Sequence, residues 1–159
     1  MRKIIMIFAL MIVMLSAMAQ EKTYDYRYER KTVFIEQNFP INSQVILKTM
    51  VEKIVHRDSI QYLYCMKHGP VVTKFTLQDI KDLLSAIREL SYGEKSGEYN
   101  ADNGFVLGMN KYTDRTDWYV VINSEKSRRF YFIESIVDFK EQMVSGALVL
   151  MDYYYANQK

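Results

Sequence analysis

Cys65-x-x-His68 joins a thiol to an imidazole at the spacing of a metal-ligand pair, and His56 is the only other His or Cys in the chain. A structural zinc site needs about four ligands at roughly 2 Å, and a thiolate nucleophile needs an exposed, activated cysteine. The surrounding pattern works against both. Residues 45 to 68 read as a hairpin turning at Arg57-Asp58-Ser59, which leaves His56 beside the turn and returns His68 to the level of residues 45 to 47. The two imidazoles are then nine or ten residues apart, roughly 30 Å at 3.3 Å per residue. Cys65 and His68 fall on opposite faces of their strand. The expected roles are two exposed histidines and a small buried apolar thiol, with neither a metal nor a catalytic couple.

Other groupings carry no more chemistry. Asp79 with Asp82, and Glu134 with Asp138, sit where helices begin, and acidic residues there complement the helix dipole. Tyr92-Gly93-Glu94-Lys95-Ser96-Gly97 lacks the strand-to-helix setting of a phosphate loop. Residues 100 to 104 hold too few acids for a calcium loop, and there is no Gly-x-Ser-x-Gly elbow. The reading is therefore no catalytic residue, no metal and no cofactor.

Aromatic residues are the remaining resource: 13 Tyr, 8 Phe and 1 Trp. Residues 116 to 134 place two aromatic runs around one polar turn, and Tyr24, Tyr26 and Tyr28 alternate near the start. In a two-layer domain one sheet face meets helices and the other meets solvent or a partner. Strand alternation nominates Tyr62, Tyr64, Tyr119 and Tyr131 for that open face, and sends Trp118, Val120, Ile122, Phe130 and Phe132 to the core.

The elements that must position these rings follow from periodicity. Thr76 with Asp79 three residues on has the spacing of a helix N-cap. Ile80, Leu83, Leu84 and Ile87 then predict a helix over 77 to 90. A second helix begins near Ser135, with Ile136, Phe139, Met143, Ala147, Leu150 and Tyr154 on one stripe and Val144, Leu148 and Met151 widening it. Residues 60 to 66, 71 to 75, 105 to 111, 117 to 123 and 129 to 134 have strand composition.

Residues 45 to 56 fit two templates. Their apolar pairs Ile46-Leu47, Met50-Val51 and Ile54-Val55 have a helical rhythm, yet Val45, Leu47, Val51 and Val55 also form a strand face. A repeat selects the strand. Residues 60 to 66 shifted by 57 land on 117 to 123, and Ile80, Leu83 and Ile87 shifted by 56 land on Ile136, Phe139 and Met143. The expected fold is α+β: two successive βββα units, a mostly antiparallel sheet of about six strands, and two helices on one face.

Met1-Arg2-Lys3, an apolar run over 4 to 15 and Ala17-Met18-Ala19 make a secretory signal peptide over 1 to 19, cleaved after Ala19. The run is shorter than the roughly 20 residues of a membrane span, so no stable anchor is expected after cleavage. The full chain carries 21 Lys+Arg against 19 Asp+Glu, and loss of Arg2 and Lys3 leaves 19 against 19. A neutral domain has no long-range field to draw it onto nucleic acid. Residues 20 to 44 read as an extended N-terminal segment and 45 to 159 as one α+β domain. With Cys65 the only cysteine, stability comes from packing and not from a disulfide.

The signal peptide, Phe75-Thr76-Leu77-Gln78-Asp79-Ile80-Lys81-Asp82-Leu83-Leu84, Asp102-Asn103-Gly104-Phe105 and the Trp118-Tyr119 strand resemble small exported Bacteroidetes proteins with no assigned function. The likeness spans about residues 45 to 145. It implies an extracytoplasmic compartment and a fold, and transfers no active-site residue. The functional expectation is a non-catalytic extracytoplasmic binding or interaction module for a protein, peptide or glycan of the cell envelope. It would use the tyrosine face or the loop over 91 to 104. The alternatives are a small exported enzyme, such as a hydrolase, and a structural envelope component.

The export signal generates a direct test. Intact-mass analysis of the exported protein should return a chain beginning at Gln20. A membrane-bound product that retains Met1 to Ala19 would contradict the cleavage site.

Overall fold

Residues that alternate apolar and polar in pairs can satisfy a strand only if both of its faces find apolar neighbours. A computed structural model of the chain, which describes residues 30 to 56, 59 to 124 and 127 to 158, shows this solution for residues 45 to 56. They form strand β2 (Ile46–His56), whose Leu47 and Val51 enter the main core while Met50 and Ile54 join a small second cluster with Leu63, Cys65 and Val72 on the opposite face. The helical rhythm thus records a strand apolar on both sides. The expected signal peptide, Tyr24, Tyr26, Tyr28 and Asp58 lie outside the described residues.

Strands β1 (Arg30–Pro40), β2, β3 (Ser59–His68) and β4 (Val71–Phe75) form one antiparallel meander in the order β1-β2-β3-β4, followed by helix α1 (Leu77–Tyr92). Strands β5 (Gly97–Asn100), β6 (Val106–Lys111), β7 (Thr116–Ser124) and β8 (Ser127–Ile133) form a second meander in sequence order, followed by helix α2 (Ile136–Ala156). The class is α+β, but the single six-stranded sheet with helices on one face is replaced by two four-stranded sheets. Each repeat unit gains an N-terminal strand and reads ββββα.

The two added strands have physical reasons to escape a sequence reading. In β1 the register with β2 shifts between Phe34 and Glu36, and the bulge residue Ile35 has φ 52°. A bulge inserts one residue and inverts the alternation beyond it, so β1 shows no continuous period of two. β5 has only four residues, Gly-Glu-Tyr-Asn, and lies in the segment expected to be a loop.

Both helices begin at the expected caps. The Thr76 Oγ1 accepts from the Asp79 N–H (3.1 Å) while Asp79 Oδ2 accepts from the Thr76 N–H (2.7 Å), a reciprocal box that satisfies two otherwise unpaired donors. The Ser135 hydroxyl accepts from the Asp138 N–H (3.2 Å). Helix α2 buries Phe139, Met143, Gly146, Ala147 and Leu150. Val144 and Leu148, expected to widen that buried stripe, instead face outwards.

The inner faces of both sheets and the two helices share one core. Phe75 meets Phe105 edge-on at 5.0 Å, Phe105 stacks with Phe139 at 6.4 Å, and Phe139 meets Phe39 at 6.3 Å. The chain of rings runs from β4 through the entry to β6 and the base of α2 to the end of β1. Helix α1 packs against α2 and against β4, β5 and β6, while α2 reaches back to β3 of the first sheet. That reach depends on Gly146: a Cβ there would stand 2.8 Å from Cε2 of Tyr64.

Where the sheets meet, a side chain substitutes for a ladder. Thr73 of β4 is buried, and its hydroxyl accepts from the Asn123 N–H (3.1 Å) and donates to the Asn123 carbonyl (3.2 Å). Asn123 lies beyond the first β6–β7 pair, Val106 with Val121, so β6 does not satisfy it.

Two substitutions test these contacts, each read from the midpoint of urea unfolding at unchanged slope. Thr73→Val keeps the shape but leaves the Asn123 N–H and carbonyl unpaired. It should cost about 2 kcal/mol or more, since a buried unsatisfied group costs about 1–3 kcal/mol. Gly146→Ala should lower stability by about 1 kcal/mol, the overpacking against Tyr64 at about 1–3 kcal/mol exceeding the roughly 1 kcal/mol that alanine contributes within a helix. Stabilisation by Gly146→Ala would show that Tyr64 can give way.

Candidate functional site

The outer face of the second sheet is set by alternation and register together. In β7, Trp118, Val120 and Ile122 point into the core, which turns Tyr119 and Val121 outwards. In β8 the buried residues are Tyr131 and Ile133, so Phe130 and Phe132 are outside. Tyr119 pairs with Phe132 and Val121 with Phe130, while Gly108 of β6 lies beside Tyr119 and Glu98 of β5 beside Gly108. One row across the sheet is therefore Glu98, Gly108, Tyr119, Phe132, and the next is Asn100, Val106, Val121, Phe130.

Gly108 makes the row work. A Cβ at this position would lie 2.0 Å from Cζ of Tyr119, so the missing side chain lets the tyrosine ring lie across β6. The hydroxyl then reaches two strands over and donates to Glu98 Oε1. Tyr119 stacks on Phe130 at 5.0 Å, and Phe130 meets Phe132 edge-on at 5.1 Å. Such geometries contribute about 0.5–1.5 kcal/mol per pair beyond area burial. Phe130 and Phe132 remain 50% and 55% exposed, while Val106 and Val121 of the Phe130 row are buried. At the rim, Arg115 Nε donates to both oxygens of Asp117 at 3.3 Å and its guanidinium lies 4.8 Å over the Tyr112 ring.

Three of the four tyrosines expected on an open face are in the interior. Tyr62 stacks on Tyr153 at 5.0 Å, meets Tyr154 edge-on, and its hydroxyl accepts from Asn157 Nδ2 (2.6 Å). Tyr64 lies against Gly146, and its hydroxyl accepts from Gln142 Nε2 (2.8 Å). The Tyr131 hydroxyl is hydrogen-bonded to His68 Nδ1. Only Tyr119 is on the outer face, and it is joined there by Phe130 and Phe132, which were expected in the core. The alternation in Arg129-Phe130-Tyr131-Phe132-Ile133 is uninformative because three consecutive residues are aromatic. The hairpin held the missing signal: the pairing of Ser124 with Ser127 puts Trp118 opposite Ile133, and hence Tyr119 opposite Phe132.

A second feature lies between β1, β2 and α2. A cleft of about 60 Å³ is lined by Gln37, Thr49, Tyr64, Gln142 and Ser145, with the bulge residue Ile35 at its rim. Gln142 Nε2 also donates to Thr49 Oγ1 (3.2 Å). Burial raises the Tyr64 hydroxyl above its ordinary pKa, partly offset by its hydrogen bonds to Gln142 and Thr49. Small-molecule sites occupy about 300–1,000 Å³, so this cleft has room for a water or two and not for a metabolite.

The chemistry-bearing residues are dispersed. Cys65 lies in the small outer cluster of the first sheet beneath the Lys74–Glu52 ion pair (2.8 Å), His68 faces inwards, and His56 ends β2. Asp82 accepts from Gln78 (2.8 Å), and Asn103 closes a turn by donating to the Lys74 carbonyl (2.8 Å) and accepting from the Phe105 N–H (3.0 Å). Among the described residues no three His, Cys, Asp or Glu gather as a metal site. Comparison with protein-family models, curated proteins and solved structures gives no match.

Tyr119 supplies the electrostatic test. Desolvation first, then the hydrogen bond to Glu98 and that carboxylate's charge, push its pKa from about 10 up to about 12. The folded state keeps this proton where the unfolded chain has lost it. Its stabilising contribution is full below about pH 10 and is lost as pH rises towards 12. Ring-carbon NMR of the protein, assigned with Tyr119→Phe, should show a tyrosine titrating near 12, and Glu98→Gln should bring it down while desolvation persists. An unchanged value in Glu98→Gln would remove the carboxylate from the account.

Proposed function

We propose that the protein is a non-catalytic extracytoplasmic binding module that recognises a protein, peptide or glycan of the cell envelope through the outer face of its second sheet. The observation that carries this reading is the contrast between two surfaces. Among the described residues the molecule exposes a connected aromatic cluster, Tyr119 with Phe130 and Phe132, whereas the cleft beside α2 measures only about 60 Å³. Exposed, connected apolar surface with a polar rim is a feature of interaction sites. On the same face Val106 and Val121 are buried, and Gly108 and Glu98 set where the Tyr119 ring lies.

Export rests on Arg2-Lys3, the apolar run that follows and Ala17-x-Ala19. Equal numbers of acids and bases after cleavage agree with a partner that is not nucleic acid. No helix among the described residues is long and apolar enough to cross a membrane.

The test is affinity capture from cell-envelope extracts with two baits, the mature protein and Phe130→Ser/Phe132→Ser. The double variant should lose at least about tenfold in capture while staying folded, its stability falling by about 1–3 kcal/mol as two ring pairs of about 0.5–1.5 kcal/mol each are lost. Trp118→Ala, on the buried side of the same sheet, should instead cost about 3–5 kcal/mol and unfold a marginal domain. Equal capture by wild type and the double variant would move recognition off this face.

A further inference from the structure

Strand β8 ends its sheet with one edge unpaired, and the backbone along that edge has a defined phase. Residues of an antiparallel strand turn their N–H and C=O alternately towards one side and the other. The Phe132 carbonyl accepts from Asn42 Nδ2 (2.8 Å) and the Glu134 N–H donates to the Ile41 carbonyl (3.0 Å), so these groups point away from β7. Phe130 and Arg128 share that phase, and among the described residues neither is bonded on this side. The open edge is therefore the Phe132 N–H and both backbone groups of Phe130 and Arg128. It has a fixed stop. Asn42 Oδ1 accepts from the N–H groups of Gln44 and Val45, both at 2.9 Å, which holds in place the side chain that covers the Phe132 carbonyl.

The other sheet edges are interrupted, short or engaged. β1 is broken by the bulge at Ile35, β5 has four residues, and β4 turns Thr73 onto β7. β8 has neither a bulge nor a proline, two of the devices that blunt an edge strand. Only charge guards it, and both charges are positive: Arg128 and Arg129 are exposed and have no carboxylate paired with them among the described residues. A guard of one sign excludes basic and neutral strands and admits acidic ones.

We infer that the β8 edge takes an extended acidic peptide as an antiparallel fifth strand of the second sheet. This assignment rests on the aromatic outer face being the recognition surface, and it names the partner's chemistry. Backbone hydrogen bonds to an edge give affinity, and alternate side chains give specificity. A peptide residue opposite Phe130 engages both free groups of Phe130 and projects its side chain onto the outer face beside the exposed ring. The peptide residue two positions on lies opposite Arg128 on the same face. The pattern is an apolar residue followed two positions later by Asp or Glu. A second copy of the chain does not meet it. Two β8 edges paired about Phe130 would set each Arg128 beside the other copy's Phe132, whose carbonyl Asn42 already holds, and β8 contains no carboxylate.

The test is fluorescence anisotropy of the labelled, end-capped peptide Thr-Thr-Val-Thr-Glu-Thr-Thr with the mature protein up to about 1 mM, where even a millimolar complex half-forms. The peptide should bind, and its Glu-to-Lys version should bind at least about tenfold more weakly because like charges then meet. Arg128→Glu should reverse that preference. N-methylation of the Val nitrogen, which faces β8, should abolish binding, whereas N-methylation of the Thr that follows Val, whose nitrogen faces solvent, should not. Amide exchange at Phe130 should slow in the complex. Absence of binding by the Glu peptide overturns the inference, as does equal binding of the Val N-methylated peptide or an unreversed preference in Arg128→Glu. Loss of envelope capture in Phe130→Ser/Phe132→Ser, together with full capture by Arg128→Glu and no binding of the Glu peptide, would keep the aromatic face as the recognition surface and overturn strand addition alone.

Discussion

The hydroxyl of Thr73 is the buried joint between the two halves, which a backbone bond from the Glu134 N–H to the Ile41 carbonyl (3.0 Å) also ties together. Each sheet is complete within its own unit, and no continuous backbone ladder joins them. At the junction a single buried oxygen accepts from the Asn123 N–H and donates to its carbonyl, while the Asn123 side chain bonds the Gly104 carbonyl and Asn103 bonds the Lys74 carbonyl. Unpaired backbone groups in such a position would oppose burial. With them satisfied, the inner faces of both sheets can line one core, and the ring chain from Phe75 to Phe39 can run through it.

Closing that core determines which surfaces remain outside. The first sheet gives its inner tyrosines, Tyr62 and Tyr64, to α2, and its outer face is screened by the Lys74–Glu52 and Lys48–Glu36 ion pairs. Among the described residues no ion pair screens Phe130 and Phe132 of the second sheet. Its outer carboxylates, Glu98 and Asp117, are held by Tyr119 and Arg115 respectively. The same alternation that builds a core from Trp118, Val120 and Ile122 therefore produces an aromatic platform one residue out of phase, and the absent side chain of Gly108 sets its contour.

The caps at Thr76 and Ser135, both helices, the central strands and the repeat were legible because each rests on local chemistry: a side chain reaching a nearby N–H, or a period of two or of 3.6. What was hidden depends on contacts distant in sequence. Nothing local shows that β1 pairs with β2 through a bulge, or that four residues of β5 extend the second sheet. Tyr62 and Tyr64 were misplaced because the helix that covers them belongs to the other half of the chain. Phe130 and Tyr131 exchanged faces because composition alone could not set the phase of an all-aromatic run, although the register of the β7–β8 hairpin could have done so. Val144 and Leu148 were assigned to the core because apolarity does not state which side of a helix is occupied.

The placement of α2 has a consequence for how the chain comes into being. The helix that follows both meanders in the chain is the one that seats on β3, through Gly146 against Tyr64 and Asn157 against Tyr62. The first meander can draw together early, but it cannot finish its own interior until α2 has been made. Until then the faces awaiting α2 are open, leaving apolar surface exposed in the partly folded chain.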